Sequence, residues 1–163
     1  MERRNAWLSY TEAEEKELEK AAKAYRNFLN AGKTERECVT QIVKEAREAG
    51  YESLEEKTAK GEKLKAGDKI YTVGMKKIVA LFHIGQDDIE EGMNILGAHI
   101  DSPRLDVKQN PLYEDTDLAY LDTHYYGGVK KYQWVTLPLA IHGVVVKKDG
   151  SVAEVNIGED EED

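Results

Sequence analysis

The sequence has little cysteine, fewer positive than negative charges and no long apolar run. Cys38 is the one cysteine in 163 residues. That excludes an internal disulfide and a cysteine zinc cage. No run of about 18 apolar residues occurs, so no membrane-spanning helix and no membrane partner are expected. The opening residues, Met1-Glu2-Arg3-Arg4-Asn5-Ala6-Trp7, lack the apolar core of a secretory leader. A cytoplasmic protein is the expectation from these absences. Lys and Arg number 23 against 32 Asp and Glu, a net charge of −9. An acidic surface repels a phosphate backbone, so no nucleic-acid partner is expected. The four histidines, His83, His99, His124 and His142, stand 16, 25 and 18 positions apart. Those spacings match no compact zinc motif.

What is present describes a folded chain. Apolar residues make up 40% and mean hydropathy is −0.64, a globular rather than a disordered composition. The length fits one domain, or one domain plus the start of another. Thr11-Glu12-Ala13-Glu14 is a capping box, a hydroxyl followed three positions later by a carboxylate. Leu18, Ala21, Ala22, Tyr25, Phe28 and Leu29 then recur at helical spacing, and Gly32 ends the helix. Thr34 with Glu37 opens a second helix carrying Val39, Ile42, Val43 and Ala46, with Gly50 just past its end. The charged stretch Ser53 to Asp68 reads as a loop with a short helical piece. Lys69–Val73 and Lys77–Phe82 read as a hairpin around Gly74. The almost continuous apolar run Asn94–Ile100 predicts a strand buried on both faces. Leu105–Lys108 alternates and should lie nearer an edge. From Asn110 to Gly128 the texture turns polar and aromatic, which suggests a domain boundary in that interval. Tyr132–Leu139 and Ala140–Val146 are strand-like, and Asp149-Gly150 is a hairpin turn before Val152. The ending, Glu159-Asp160-Glu161-Glu162-Asp163, reads as a solvated tail or as a stretch of an acidic loop.

The chemistry concentrates at Gly97-Ala98-His99-Ile100-Asp101-Ser102-Pro103. A strand there would deliver His99 at its C-terminal end, where open α/β sheets place ligands. Asp101 could swing back through a turn at Ser102-Pro103, accept one imidazole N–H and raise the basicity of the other nitrogen. A buried histidine bonded to a neighbouring aspartate would show the same spacing, and the spacing alone leaves both open. The other candidates read as structural. His83 ends a strand, His124 sits in an aromatic loop, His142 lies within a β run, and Cys38 is a small core residue. Ser102 lacks the Gly-x-Ser-x-Gly elbow of a nucleophile.

The longer string, His99-Ile100-Asp101-Ser102-Pro103-Arg104-Leu105-Asp106-Val107-Lys108, resembles the H-x-D-S-P-x-L-x-x-K signature of the M18 metallopeptidases, the aspartyl aminopeptidase family. Tyr126-Gly127-Gly128 is similar to the Tyr-Gly-Gly that introduces that family's dimerisation insert. The continuation Val129-Lys130-Lys131-Tyr132-Gln133-Trp134 departs from the family's third glycine and Asp-Arg pair, which leaves the branch and its preferred N-terminal residue open. The resemblance covers the N-terminal portion of such an enzyme. It implies an α/β fold in which residues 1–126 form the first part of a zinc-peptidase catalytic domain, a helical pair plus mixed sheet. Residues 127–163 would begin the β-rich insert. It implies a peptide substrate, homo-oligomers through the insert, and two metal ions, zinc with cobalt or manganese as alternatives. In that family the signature histidine binds a metal and the aspartate two positions on orients it, so His99 is the implied metal ligand and Asp101 the implied catalytic carboxylate. A two-metal site activates a water and clamps the developing oxyanion. The remaining ligands and the general base lie downstream in the family. Two other readings stand beside this one. One is a non-catalytic interaction module that pairs through its β strands. The other is a different two-metal hydrolase sharing the His-x-Asp strand.

One His and one Asp cannot assemble that chemistry. The chain by itself is therefore expected to be inactive as a peptidase and to bind zinc weakly. Titration with zinc checks this: one tight stoichiometric site, lost on His99→Ala, would overturn it.

Overall fold

The computed structural model describes residues 5–159. The readings made at Met1–Arg4 and at the acidic ending past Glu159 lie outside the described residues. The chain is α/β and divides into two compact units, which part between Gly97 and Ala98. The interval from Asn110 to Gly128 lies within the second unit.

The first unit starts with a helical pair. Helix α1 spans Glu12–Ala31 and α2 spans Glu35–Glu48. Both capping boxes form: each threonine hydroxyl accepts from the backbone N–H three residues on, and that residue's carboxylate accepts from the threonine's own N–H. Gly32 closes α1 by donating its N–H to the Phe28 carbonyl. The turn here is tight, since a Cβ on Gly32 would sit 2.8 Å from the Cys38 sulfur. Gly50 follows α2 with φ +84, a left-handed conformation that glycine adopts without strain.

A mixed three-stranded sheet packs on α2. Strand β1, Glu52–Ser53, runs parallel to β2, Lys69–Gly74, which pairs antiparallel with β3, Ile78–His83. A short helix α3, Leu54–Ala59, fills the predicted charged loop. The β2–β3 connection turns through Met75 and Lys76, both at positive φ (50 and 59). The core is small. Val39, Cys38 and Ala46 of α2 are buried, as are Ile70 and Tyr71 of β2. The Arg47 Nε–H donates to the Tyr71 hydroxyl at 2.7 Å, tying α2 to the sheet. The apolar stripe of α1 is only partly covered, with Tyr25 and Leu29 exposed.

The second unit holds two hairpins. Strand β4, Arg104–Asp115, pairs with β5, Leu118–Tyr126. The predicted strand at Leu105–Lys108 is present, longer than expected, and among the described residues pairs with β5 alone. The polar aromatic stretch after Asn110 is also strand. Its turn, Thr116-Asp117, adopts positive φ (52 and 61) without a glycine, which hid the hairpin from a turn-signal reading. Residues 108–111 of β4 bulge opposite Asp122 alone, and Pro111, which has no N–H to donate, sits in that bulge. The second hairpin pairs β6, Ile141–Val146, with β7, Val152–Ile157, through the expected Asp149-Gly150 turn.

Two expectations fail. Asn94–Ile100 is not a buried strand. It carries no assigned strand, and Ile95 and Leu96 are 80% and 99% exposed. A strand buried on both faces needs packing on each, and Ile95 and Leu96 lack it among the described residues. Tyr132–Leu139 is not a strand either. Lys131–Trp134 forms a helical turn, α4, and Pro138 follows in irregular chain. Its β-rich composition finds no strand to pair with, and Pro138 has no N–H to donate to a ladder.

Removing the α2 cap should cost about 1 kcal/mol of stability, as Thr34→Ala leaves the Glu37 N–H without its acceptor. Ile70→Ala, which empties a buried position, should cost about 2–5 kcal/mol. Urea unfolding of both variants checks the ranking; a Thr34→Ala protein as stable as the parent contradicts the cap.

Candidate functional site

His99, Asp101 and Tyr126 come together at one end of the β4–β5 hairpin. His99 and Asp101 lie in the irregular chain that leads into β4, and Tyr126 is the last residue of β5. The register that pairs Arg104 with Tyr126 carries the tyrosine back beside Asp101. The Asp101 carboxylate does return to the imidazole, as expected. It does so with no turn assigned at Ser102-Pro103, and no strand delivers His99.

The geometry fixes one imidazole nitrogen. His99 Nδ1 lies 3.0 Å from the Asp101 backbone oxygen and 3.2 Å from Asp101 Oδ1. Both neighbours are acceptors, so Nδ1 is the nitrogen that carries the proton. The lone pair is then on Nε2, on a side chain 84% exposed. A metal ligand needs this arrangement: one ring nitrogen donates to an outer partner and the other is free to coordinate.

Asp101 is held at both oxygens. Oδ2 accepts from the Tyr126 hydroxyl at 2.7 Å. That bond, with a backbone N–H and the neighbouring His99, lowers the Asp101 pKa below the ordinary aspartate value. Its causes are donors aimed at the charged form. Tyr126 is braced in turn. The Arg104 guanidinium lies 4.3 Å from its ring centroid, and Arg104 Nε donates to Asp106 Oδ1 at 2.7 Å. Gly127 follows at φ +73, and a Cβ there would lie 3.4 Å from Pro103.

The sequence reading picked out His99 and Asp101 and missed Tyr126. The tyrosine was visible in Tyr126-Gly127-Gly128, but nothing in the spacing tied it to a carboxylate 25 residues earlier. The other histidines have surroundings of their own. His83 ends β3 and is exposed. His124 is on a strand rather than in a loop, opposite Asp106, its ring stacked 5.5 Å from Tyr125. His142 Nε2 lies 3.3 Å from Glu159, a pairing across the ends of the β6–β7 hairpin. Cys38 is buried, and that burial, with Glu37 and Glu35 nearby, raises its thiol pKa, so it is inert as a nucleophile. Among the described residues no group of three or more His, Cys, Asp or Glu side chains could hold a metal. The donor set fits one corner of a metal site and does not complete one. No helix among the described residues is long and apolar enough to cross a membrane.

Comparison with known proteins gives a consistent result. The family model described as "Aminopeptidase I zinc metalloprotease (M18)" matches residues 28–163. A probable M18 family aminopeptidase 1 from Clostridium acetobutylicum is 57% identical over 99% of this chain, which covers 35% of that protein. The crystal structure of aminopeptidase I from Borrelia burgdorferi superposes with a TM-score of 0.90 at 41% identity, over 98% of this chain and 39% of that one. The M18 aminopeptidase structure from Thermotoga maritima gives 0.88 at 42% identity, over 100% of this chain and 34% of that one. The chain spans about a third of the length of the curated relatives it matches.

The lowered Asp101 pKa has a defined sign. The folded-state pKa lies below the unfolded one, so the hydrogen-bonded carboxylate stabilises the fold fully above the ordinary aspartate range. That contribution fades as pH falls through the folded-state value. A carbon-detected NMR titration should place the Asp101 midpoint below the ordinary aspartate value; a midpoint at or above it contradicts the geometry.

Proposed function

The chain belongs to the M18 family of zinc metallopeptidases, and from that premise we propose that it supplies the first metal ligand and its orienting carboxylate to an aminopeptidase site. His99 is the ligand, through Nε2. Asp101 orients it by accepting from Nδ1 and is the catalytic carboxylate of the pair. The observation that carries this reading is the imidazole fixed at Nδ1 by two acceptors, with Nε2 directed away from both. The substrate is a peptide with a free amino terminus.

Zinc is the metal the family description supports. Two divalent ions, when bound, would supply Lewis-acid activation of water and stabilise the charge that builds on the peptide carbonyl oxygen. This chain's own residues contribute orientation. His99 contributes one neutral nitrogen. Asp101 keeps the proton on the other, so that the coordinating lone pair is not lost to the wrong tautomer. Further ligands and the general base come from outside these residues, in keeping with the third of the family length that the chain spans.

We read residues 1–126 as the first part of the catalytic domain and 127–163 as the start of an insert. The β6–β7 hairpin is the part of that insert that supports homo-oligomers. The exposure of Ile95 and Leu96 favours a chain that works together with further polypeptide. We also place the protein in the cytoplasm.

A chimera tests the assignment. This chain replaces the matching third of the Clostridium acetobutylicum relative, and the zinc-loaded product is assayed on a panel of aminoacyl p-nitroanilides. Losing an outer partner of a metal ligand typically costs about 10–100-fold, so losing the ligand itself in His99→Ala should exceed about 100-fold. Asp101→Asn should fall within or beyond the outer-partner range. A chimera whose activity survives His99→Ala sinks the assignment.

A further inference from the structure

The Asp101 carboxylate has two oxygens and both are engaged, one toward His99 and one toward Tyr126. The terminal torsion of an aspartate is broad and roughly two-fold, so a carboxylate held at one oxygen can rotate. One held at both has a fixed plane. Resting on the reading of His99 as a metal ligand, we propose that Tyr126 is a positioning residue of that site. Its hydroxyl clamps Asp101 so that Asp101 holds the His99 imidazole with Nε2 outward.

Four observations carry the proposal. The hydroxyl donates to Oδ2 at 2.7 Å, the length of a charge-assisted bond. The backbone of Tyr126 is fixed by its pairing with Arg104 on β4. The ring is fixed by the Arg104 guanidinium 4.3 Å from its centroid, and Arg104 is itself held by Asp106. A cation against the ring face also draws electron density from the phenol, which makes its O–H a better donor. Finally, Gly127 leaves the strand at φ +73, so close to Pro103 that an added Cβ would lie 3.4 Å from it. This turn joins the chain after Tyr126 to the chain after Asp101. The result is a relay, Asp106 to Arg104 to Tyr126 to Asp101 to His99, in which each group fixes the next. Metal sites depend on such outer partners nearly as much as on the ligands.

A tyrosine that merely covers the hairpin end would not need its hydroxyl. Tyr126→Phe separates the two roles, because it keeps the ring, the strand and the Arg104 contact and removes one O–H. The full 163-residue chain is labelled with ¹⁵N and kept metal-free. Two-bond proton–nitrogen spectra at about pH 8, where a free imidazole is uncharged, report the His99 tautomer. The parent should show one dominant tautomer, with the proton on Nδ1 and Nε2 bare. Tyr126→Phe should lose that dominance and give a mixture, while cross-strand contacts between β4 and β5 persist. Asp101→Ala, with the tyrosine intact, should give the same mixture. It tests the relay without touching Tyr126, should the phenylalanine variant not fold. A parent without a dominant tautomer overturns the proposal. So does a Tyr126→Phe protein with the parent's tautomer, or an Asp101→Ala protein that keeps it. These readouts require no metal and no turnover. Survival of chimera activity in His99→Ala would instead refute the ligand assignment, a separate result.

Discussion

A carboxylate fixed at both oxygens is the constraint on which the site depends. Asp101 reaches His99 with one oxygen and accepts from Tyr126 with the other. The tyrosine is 25 residues away along the chain, and only the β4–β5 register brings it back. A strand has a side-chain period of two, so a slip of one residue would turn Tyr126 to the opposite face. The bulge at residues 108–111 separates the hairpin into two stretches. The stretch beside the site pairs Arg104 through Val107 with Tyr126 through Thr123, and the outer one pairs Leu112 through Asp115 with Leu121 through Leu118. The Lys108–Asp122 ion pair, at 2.9 Å, links the strands at the bulge.

Local signals in the sequence were legible, and they describe elements that need no distant partner. Thr11 with Glu14 and Thr34 with Glu37 mark helix starts because the cap is made within one turn. Gly50 marks a helix end because φ +84 strains any other side chain. Asp149-Gly150 marks a hairpin, helped by the Asp149 carboxylate, which accepts from the Ser151 N–H at 2.9 Å. What escaped was non-local. The apolar pattern of Asn94–Ile100 states a preference for burial, yet burial needs a neighbour on each face, and Leu96 has none among the described residues. Tyr126 was legible as part of a motif but not as the partner of Asp101. His99 and Asp101 were found because they stand two residues apart within one short signature string. The residue that orients the carboxylate lies outside it.

Family membership and the packing of the chain fit each other. A small core around Val39, Ile70 and Tyr71 anchors the first unit, while much apolar surface is left open on α1, on β3 and on the 94–100 segment. Chains of the same family are about three times as long. The donor set repeats the pattern on a chemical scale. One imidazole and one carboxylate are arranged with care, and no third ligand stands near them among the described residues.

The β4–β5 hairpin also bears on how the protein is made. All the groups that orient His99 lie between that residue and Gly127, and β5 follows β4 after a two-residue turn. Hairpins close in about 1–10 μs, whereas a ribosome adds about 5–20 residues per second. Once residue 127 has left the exit tunnel, the pairing of Arg104 with Tyr126 is sampled many thousands of times before the next residue is added. The groups around the imidazole are thus brought within reach of one another early in synthesis, by the pairing of one hairpin.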